Sequence, residues 1–353
     1  MYNVVHFQDL RATGAATTEI SSALGCCLLK LDRGVYSVIR RCKVTSHRRF
    51  TRFAIDAAWM EYHETGRHRE RSQRRKYQEH LDRLRILHYP HYRSGDVVWG
   101  VSAAKLHKLG LFDVPTQPVN VAHPVSSSRT GSLTRRRISV CEEDSSEVDG
   151  IRVTTPEKTA LALITVLGPV SGFAVMEQVL RRSMLGTDEE AIFKMGYPPG
   201  TMSLVTDAVE GLFGPPISRM LRGAKNAQKL TALITPLSES YAESRASFNL
   251  HLLGLHNFVQ QFDVKEGYRT LTRLDFLFED CGVALYVDGT QKYVDGGFDV
   301  MNKESRQHNR LLSLGYKVIR FKFGEVMNVA TFSRKLFDQA PELKQQCAKK
   351  LVL

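Results

Sequence analysis

Val283-Ala284-Leu285-Tyr286-Val287-Asp288-Gly289 decides how the C-terminal third of this chain is read. An apolar run that ends on an acid and a glycine reads as a strand stopping at a turn. Side chains on a strand alternate, so Tyr286 and Asp288 share one face and Val287 takes the other. Two further strands are predicted upstream, at 259–264 and 272–278, the second holding Arg273-Leu274-Asp275-Phe276-Leu277-Phe278. A helix over 240–253 precedes them. A charged helix from about Met301 to Leu314 follows and stops at Gly315, and Val318-Ile319-Arg320-Phe321 supplies a fourth strand before a closing helix. Helix, three meandering strands, helix, strand is an α/β core of about 115 residues, an ordinary domain size.

Three acids stand out in this segment. Asp275 and Asp288 lie on adjacent strands, and Glu243 lies on the preceding helix. Acids from a helix and two strands can converge on an oxygen-rich pocket of the kind Mg²⁺ prefers. Such an ion lowers the pKa of a bound water and stabilises charge on an attacked phosphate. The plainer alternative is a strand-end aspartate and a surface glutamate.

The N-terminus follows a different pattern. Phe7-Gln8-Asp9-Leu10 opens an apolar-periodic stretch that Gly14 breaks, and Thr17-Thr18-Glu19-Ile20 offers a hydroxyl cap for a second helix through Leu24. Leu29-Lys30-Leu31 and Val35-Tyr36-Ser37-Val38 alternate like strands around the turn Asp32-Arg33-Gly34. Helix, turn, helix and hairpin make a winged helix, which sets one helix in a DNA groove and the wing on the backbone. Arg33, at the wing tip, is then a phosphate contact.

Residues 40–93 carry 15 Lys and Arg against 6 Asp and Glu. Arg67, Arg69, Arg71, Arg74, Arg75 and Lys76 crowd the start of a helix that ends near Leu87, with Leu81, Leu84 and Leu87 as its buried stripe. This face reads either as phosphate-contacting or as merely solvated. Beyond Pro90 and Gly95 the pattern is mixed. A short helix runs from Ser102 to a stop at Gly110, and strands are expected at 119–121, 138–140 and 151–153, with a Ser/Gly/Arg-rich loop over 126–137. Thr155-Pro156-Glu157-Lys158 begins another helix.

A chain of 353 residues holds two or three domains. We expect an α/β (α+β) protein with an N-terminal winged helix plus basic helix over 1–93, a middle α/β region over 94–235 and a C-terminal α/β core over 236–353. With 42% hydrophobic and 24% charged residues it is a globular composition. No apolar run is long enough to span a membrane, and residues 1–6 lack a signal-peptide layout, so the cytoplasm is the expected compartment. The net charge of +12 favours a polyanionic partner, nucleic acid ahead of a membrane surface. Cys26, Cys27, Cys42, Cys141, Cys281 and Cys347 form no C-x-x-C pair, and no Cys/His spacing suits zinc, so they read as reduced thiols packed like small apolar residues. His107 and His123, each isolated, read as structural, and Trp59 and Trp99 as core. Neither G-x-x-x-x-G-K nor G-x-G-x-x-G occurs, which argues against an ATPase or a dinucleotide enzyme.

Two resemblances sharpen this picture. Through Glu243-Ser244-Arg245, Arg273-Leu274-Asp275, Tyr286-Val287-Asp288-Gly289-Thr290-Gln291 and Leu314–Arg320, residues 238–326 resemble the PD-(D/E)XK nuclease superfamily, in the branch near very-short-patch-repair endonucleases. The resemblance implies a restriction-endonuclease-like core and a Mg²⁺ site on Glu243, Asp275 and Asp288, with Gln291 and Lys292 on the scissile phosphate. The family's usual Glu is Tyr286 here, and its frequent His is Lys292. Through the helix-turn-helix, Arg33-Gly34-Val35-Tyr36, Ser102–His107 and Val148–Thr159, residues 4–182 resemble AbiEi-type antitoxins. That resemblance implies a DNA-binding transcriptional repressor with a cognate toxin. Two readings stand: a Mg²⁺-dependent DNA endonuclease in phage defence or DNA processing, and an antitoxin-like regulator with an inactive nuclease fold. Double-stranded DNA is the partner in both.

Overall fold

The computed structural model describes residues 2–65, 71–288 and 306–353, with the backbone alone at 71, 72, 189, 193 and 194. The chain is mixed α and β and forms two compact units, Met1–Leu109 with Asp113–Thr159, and Gly110–Phe112 with Ala160–Leu353. The division falls inside the stretch 94–235. Among the described residues no helix is long and apolar enough to cross a membrane.

The first unit begins with β1 (Val4–His6), α1 (Phe7–Ala12), α2 (Thr17–Ala23), β2 (Leu28–Asp32) and β3 (Val35–Val38), and the strands form an antiparallel sheet in the order β1-β3-β2. Two short helices and a hairpin appear in the order the sequence predicts. The cap of α2 differs from expectation. Ala16 is the N-cap residue, and the Glu19 carboxylate accepts the Ala16 N–H at 2.7 Å. Leu10, Ile20, Ala23, Leu28 and Val38 close the core under these elements, with Phe50 from a 3₁₀ helix, Thr45–Phe53. Next come α3 (Ala57–Thr65) and α4 (Arg71–Leu87), whose Trp59 and Leu84 pack with Leu31 and Val35. The buried Trp59 indole donates to Ser37 Oγ at 2.7 Å.

A second sheet completes this unit. It joins β4 (Val97–Val98), β5 (Val119–His123), β6 (Ser128–Arg129), β7 (Leu133–Arg137), β8 (Ser145–Val148) and β9 (Ile151–Thr154) in the order β6-β7-β5-β4-β9-β8, with α5 (Gly100–Leu106) between β4 and β5. Two expectations need correction here. Residues 126–137 are not one loop, and 138–140 are not a strand: β7 pairs in parallel with β5, Val119 opposite Leu133 through His123 opposite Arg137. The arginine-rich stretch tolerates a sheet interior because Arg135 meets the buried Asp96 with two bonds, 2.7 and 2.6 Å. Burial alone would raise the Asp96 pKa, but the Arg135 guanidinium and the Arg93 N–H outweigh it and hold the carboxyl below its usual range.

The second unit takes in α6 (Pro156–Val166) from Ala160 onward, then α7 (Pro169–Leu185), α8 (Glu189–Met195), α9 (Val205–Ser218), α10 (Ala224–Thr231) and α11 (Tyr241–Leu253). The strands β10 (Val259–Glu266), β11 (Arg269–Phe278), β12 (Val283–Asp288) and β13 (Lys317–Lys322) follow in spatial order. Neighbours are antiparallel from β10 to β12, while β12 and β13 are parallel. Parallel strands need a long crossover, and within it residues 306–313 form a helix, α12. The rest of the expected helix from Met301 lies outside the described residues. Two helices, α13 (Phe323–Met327) and α14 (Val329–Gln339), come after β13. Phe276, Phe278, Leu285, Phe321, Phe332 and Leu336 fill the core between this sheet and the helices α11, α13 and α14. Gly172 sets the approach of α7 to α6: a Cβ there would stand 2.9 Å from the Ile164 Cα.

Candidate nucleic-acid interface and acidic centre

The tip of the β2–β3 hairpin is held by its own turn. Asp32 Oδ1 accepts the Arg33 N–H at 2.6 Å, and Gly34 turns the chain with a φ of +76°, which a side chain would resist. The Gly34 carbonyl accepts the Phe7 N–H at 2.8 Å, tying the turn to α1. Arg33 itself is exposed, as a backbone contact requires. On α4 the inward side carries Leu84, while Arg74, Arg75 and Lys76 are exposed. Arg75 also pairs with Glu79 one turn on, at 3.0 Å. Arg67 and Arg69 lie outside the described residues, and of Arg71 the backbone is described. Of the expected phosphate contacts, those whose side chains are described, Arg33, Arg74, Arg75 and Lys76, are exposed at a hairpin tip and at the start of a helix.

The acidic centre sits where α11 faces the β10–β12 sheet. Glu243 occupies the third position of α11 and makes a reciprocal cap. Its N–H donates to Ser240 Oγ at 3.2 Å, and the Ser240 hydroxyl donates to Glu243 Oε1 at 2.8 Å. Oε2 accepts the Glu239 N–H and the Gln261 side-chain amide, both at 2.9 Å. Gln261 lies on β10 with a φ of +53°, a conformation that costs about 1–3 kcal/mol for a residue with a side chain. Burial first, and the neighbouring Asp275 second, push the Glu243 carboxyl up to about 8. Asp275 Oδ2 accepts the Val287 N–H at 2.7 Å across to β12. Asp288 Oδ1 accepts from the Arg320 guanidinium at 3.0 Å, brought alongside by the parallel β13. Tyr286 gives or takes a hydrogen bond with Thr272 Oγ1 at 2.9 Å and lies under the Arg320 guanidinium, 4.7 Å from the ring centre. Burial raises its phenol pKa, so the ring oxygen is neutral at physiological pH.

The structure thus brings Glu243, Asp275, Tyr286, Asp288 and Arg320 into one electrostatic neighbourhood. Gln291 and Lys292, expected at the phosphate, lie outside the described residues. The group whose ligand atoms approach closely enough to share an ion, among the described residues, is a different one: Cys26, Cys27, Cys42 and His47, all within 4.8 Å of one another. These thiols are free and packed with apolar neighbours, as expected, and they also stand together as a cluster. The Cys26 thiol is pulled down to about 7 by hydrogen bonds from Cys42, Arg40 and His47, while burial pushes Cys27 up to about 12. The signal in the sequence was the adjacent pair Cys26-Cys27 with a cysteine and a histidine after the hairpin, a spacing that matches no common finger pattern.

The isolated histidines are structural, as expected. His107 Nε2 meets the Thr154 carbonyl at 2.7 Å, and His123 Nδ1 accepts the Val125 and Ser126 N–H groups at 3.2 Å. Trp59 and Trp99 are both buried. Neither the curated proteins nor the solved structures contain a match to this chain. Residues 97–193, from β4 into α8, match the family model of the AbiEi antitoxin C-terminal domain.

Proposed function

We propose that this protein is a DNA-binding regulator of the antitoxin type, with a winged-helix N-terminus that grips duplex DNA and a C-terminal nuclease-like domain that does not cut. The match of residues 97–193 to an antitoxin domain carries the reading. The exposed Arg33, Arg74, Arg75 and Lys76 and the net charge of +12 support it, because phosphate contacts supply most non-specific affinity for DNA. In this reading Arg67, Arg69 and Arg71 extend the same phosphate-contacting face. A cognate toxin is the second partner, and a nucleotidyltransferase-like gene beside this one is its expected source.

The acidic centre supports a regulator over an enzyme. Mg²⁺ takes ionised carboxylates and waters at near-ideal octahedral geometry. Here both oxygens of Glu243 already accept hydrogen bonds around the start of α11, Arg320 neutralises Asp288, and the position of a third carboxylate holds a tyrosine. As they stand, these residues do not fit the ion. The second reading is the Mg²⁺-dependent endonuclease in phage defence or DNA processing. It is favoured by the order of α11, three antiparallel strands, a crossover helix and a parallel strand, and by the strained Gln261 beside Glu243. It requires Arg320 to leave Asp288.

A gel-shift titration on duplex DNA from upstream of its own gene, run beside plasmid nicking with and without Mg²⁺, separates the two. Binding without nicking, and no Mg²⁺-dependent rise in Tm, is the outcome expected of wild type. Nicking that Asp275→Asn abolishes would move the assignment to the endonuclease. Tyr286→Glu is expected to give a Mg²⁺-dependent rise in Tm if the centre is a degenerate metal site.

A further inference from the structure

We propose that Cys26, Cys27, Cys42 and His47 form a structural Zn²⁺ site that locks the base of the N-terminal hairpin. Three cysteines and one histidine are a standard tetrahedral donor set for zinc, whose bonds of about 2.3 Å to sulfur and 2.0 Å to nitrogen set edges of about 3.8 Å between sulfurs and 3.5 Å between sulfur and nitrogen. Cys42 Sγ lies 3.5 Å from His47 Nδ1. Cys26 Sγ lies 3.3 Å from Cys42 Sγ, too far for a disulfide of about 2.05 Å and a few tenths of an ångström inside the zinc edge. Seating the ion therefore parts these two sulfurs slightly, and the ligand atoms that stand farther apart, all within 4.8 Å of one another, draw in by up to about an ångström.

The histidine is already set for metal. Ser22 Oγ donates its proton to the Glu19 carbonyl at 2.9 Å, so at its 2.9 Å contact with His47 it accepts the Nε2 proton. This leaves the Nδ1 lone pair facing the sulfurs. A ligating histidine that donates its other ring nitrogen to a fixed oxygen is the usual arrangement around zinc. The charge is compensated as well. Binding Zn²⁺ releases the three thiol protons and leaves three thiolates, a neutral imidazole and a dication, a net charge of −1. The Arg40 guanidinium stands 3.3 Å from Cys26 Sγ to meet it.

The location gives the site its purpose. Cys26 and Cys27 follow α2, Cys42 follows β3, and His47 sits on the 3₁₀ helix that supplies Phe50 to the core. Helices of six and seven residues are marginal alone. An ion shared by three segments fixes the end of α2 and both ends of the hairpin at once.

The test uses the full chain, purified reduced. One zinc per chain is expected by elemental analysis, and Co²⁺ added to the zinc-free protein should give the visible bands of a tetrahedral, thiolate-rich site. Cys42→Ser and His47→Ala should each lose at least ten-fold in zinc affinity, whereas Cys141→Ser, Cys281→Ser and Cys347→Ser should not. Ser22→Ala, which removes no ligand, should weaken zinc by about 10–100-fold. The cobalt spectrum of wild type stands even if a ligand variant fails to fold. Zinc content unaffected by Cys42→Ser and His47→Ala overturns the proposal. So does reduced wild type that takes up neither ion, or that gains a Cys26–Cys42 disulfide in air without ever holding metal.

Discussion

Two carboxylates of the second unit, Glu177 and Glu243, are buried, and burial raises the pKa of both. Glu177 on α7 is enclosed, and one of its oxygens accepts the Thr235 N–H at 3.2 Å. Burial pushes its carboxyl up to about 7, even though hydrogen bonds from Ser244, Ser238 and Thr235 pull the other way. A carboxyl raised in the folded state holds its proton longer than in the unfolded chain. Its contribution is favourable below the unfolded pKa of about 4.5 and is lost as pH rises through about 7. Glu177→Gln removes the titration and keeps the shape. Relative to wild type, the variant should therefore gain roughly 2–3 kcal/mol of stability between about pH 5 and about pH 8, read by urea denaturation. A wild-type-to-variant difference that does not change with pH would mean the group is not titrating in the fold. Glu243, raised in the same direction, stays in both proteins and cancels from the comparison.

Elements in this protein meet through glycines in one place and avoid them in another, and the two sites give opposite expectations. At Gly172 a methyl group would lie 2.5 Å from Ile164 Cγ1 and 2.9 Å from the Ile164 backbone, which cannot step aside while α6 and α7 stay packed. Gly172→Ala should cost about 1–3 kcal/mol by overpacking. Gly211, exposed within α9, has nothing within 4 Å of its added methyl. Gly211→Ala should instead gain about 0.5–1 kcal/mol, because alanine loses less backbone entropy in a helix. Thermal or urea unfolding of the two variants reads both signs. The hairpin carries a third expectation. If Arg33 rests on the phosphate backbone, Arg33→Ala should weaken binding to all sequences alike by about 1 kcal/mol and lower the salt slope by about one unit. Altered base preference at an unchanged slope, measured by filter binding, would place Arg33 on base edges instead.

At the scale of the whole molecule the decisive number is the net charge of +12, concentrated on the N-terminal side by 15 cations against 6 acids over residues 40–93. Affinity for duplex DNA should fall steeply with salt, with a log–log slope near −0.9 for each phosphate neutralised. Filter binding at several salt concentrations measures it, and a flat response would leave the basic face as ordinary solvated surface. The Arg135–Asp96 pair shows how the same composition also serves the interior. Its side chains are 4% and 1% exposed, and removing either partner leaves an uncompensated buried charge, a loss of about 3–5 kcal/mol. A count of arginines therefore overstates the surface available to DNA.

What the sequence determined by itself was the local grammar. The hairpin around Asp32-Arg33-Gly34, the strands β10 to β13 and the helix α11 were legible because alternation, turn residues and caps act over a few positions. That Ser240 and Glu243 cap α11 was not read from the sequence, and the structure supplies it. The tertiary structure decided everything that depends on a distant partner. A strand over 133–137 exists because Asp96, 39 positions from Arg135, offsets the desolvation of an arginine that local reading assigns to a loop. Arg320 reaches Asp288 because a crossover sets β13 parallel to β12. Cys26 and Cys27 meet Cys42 and His47 because a folded hairpin, and not a short fixed spacing, closes the distance between them. Periodicity records which face of an element is buried. It does not record which group, tens of residues away, neutralises or ligates what is buried there.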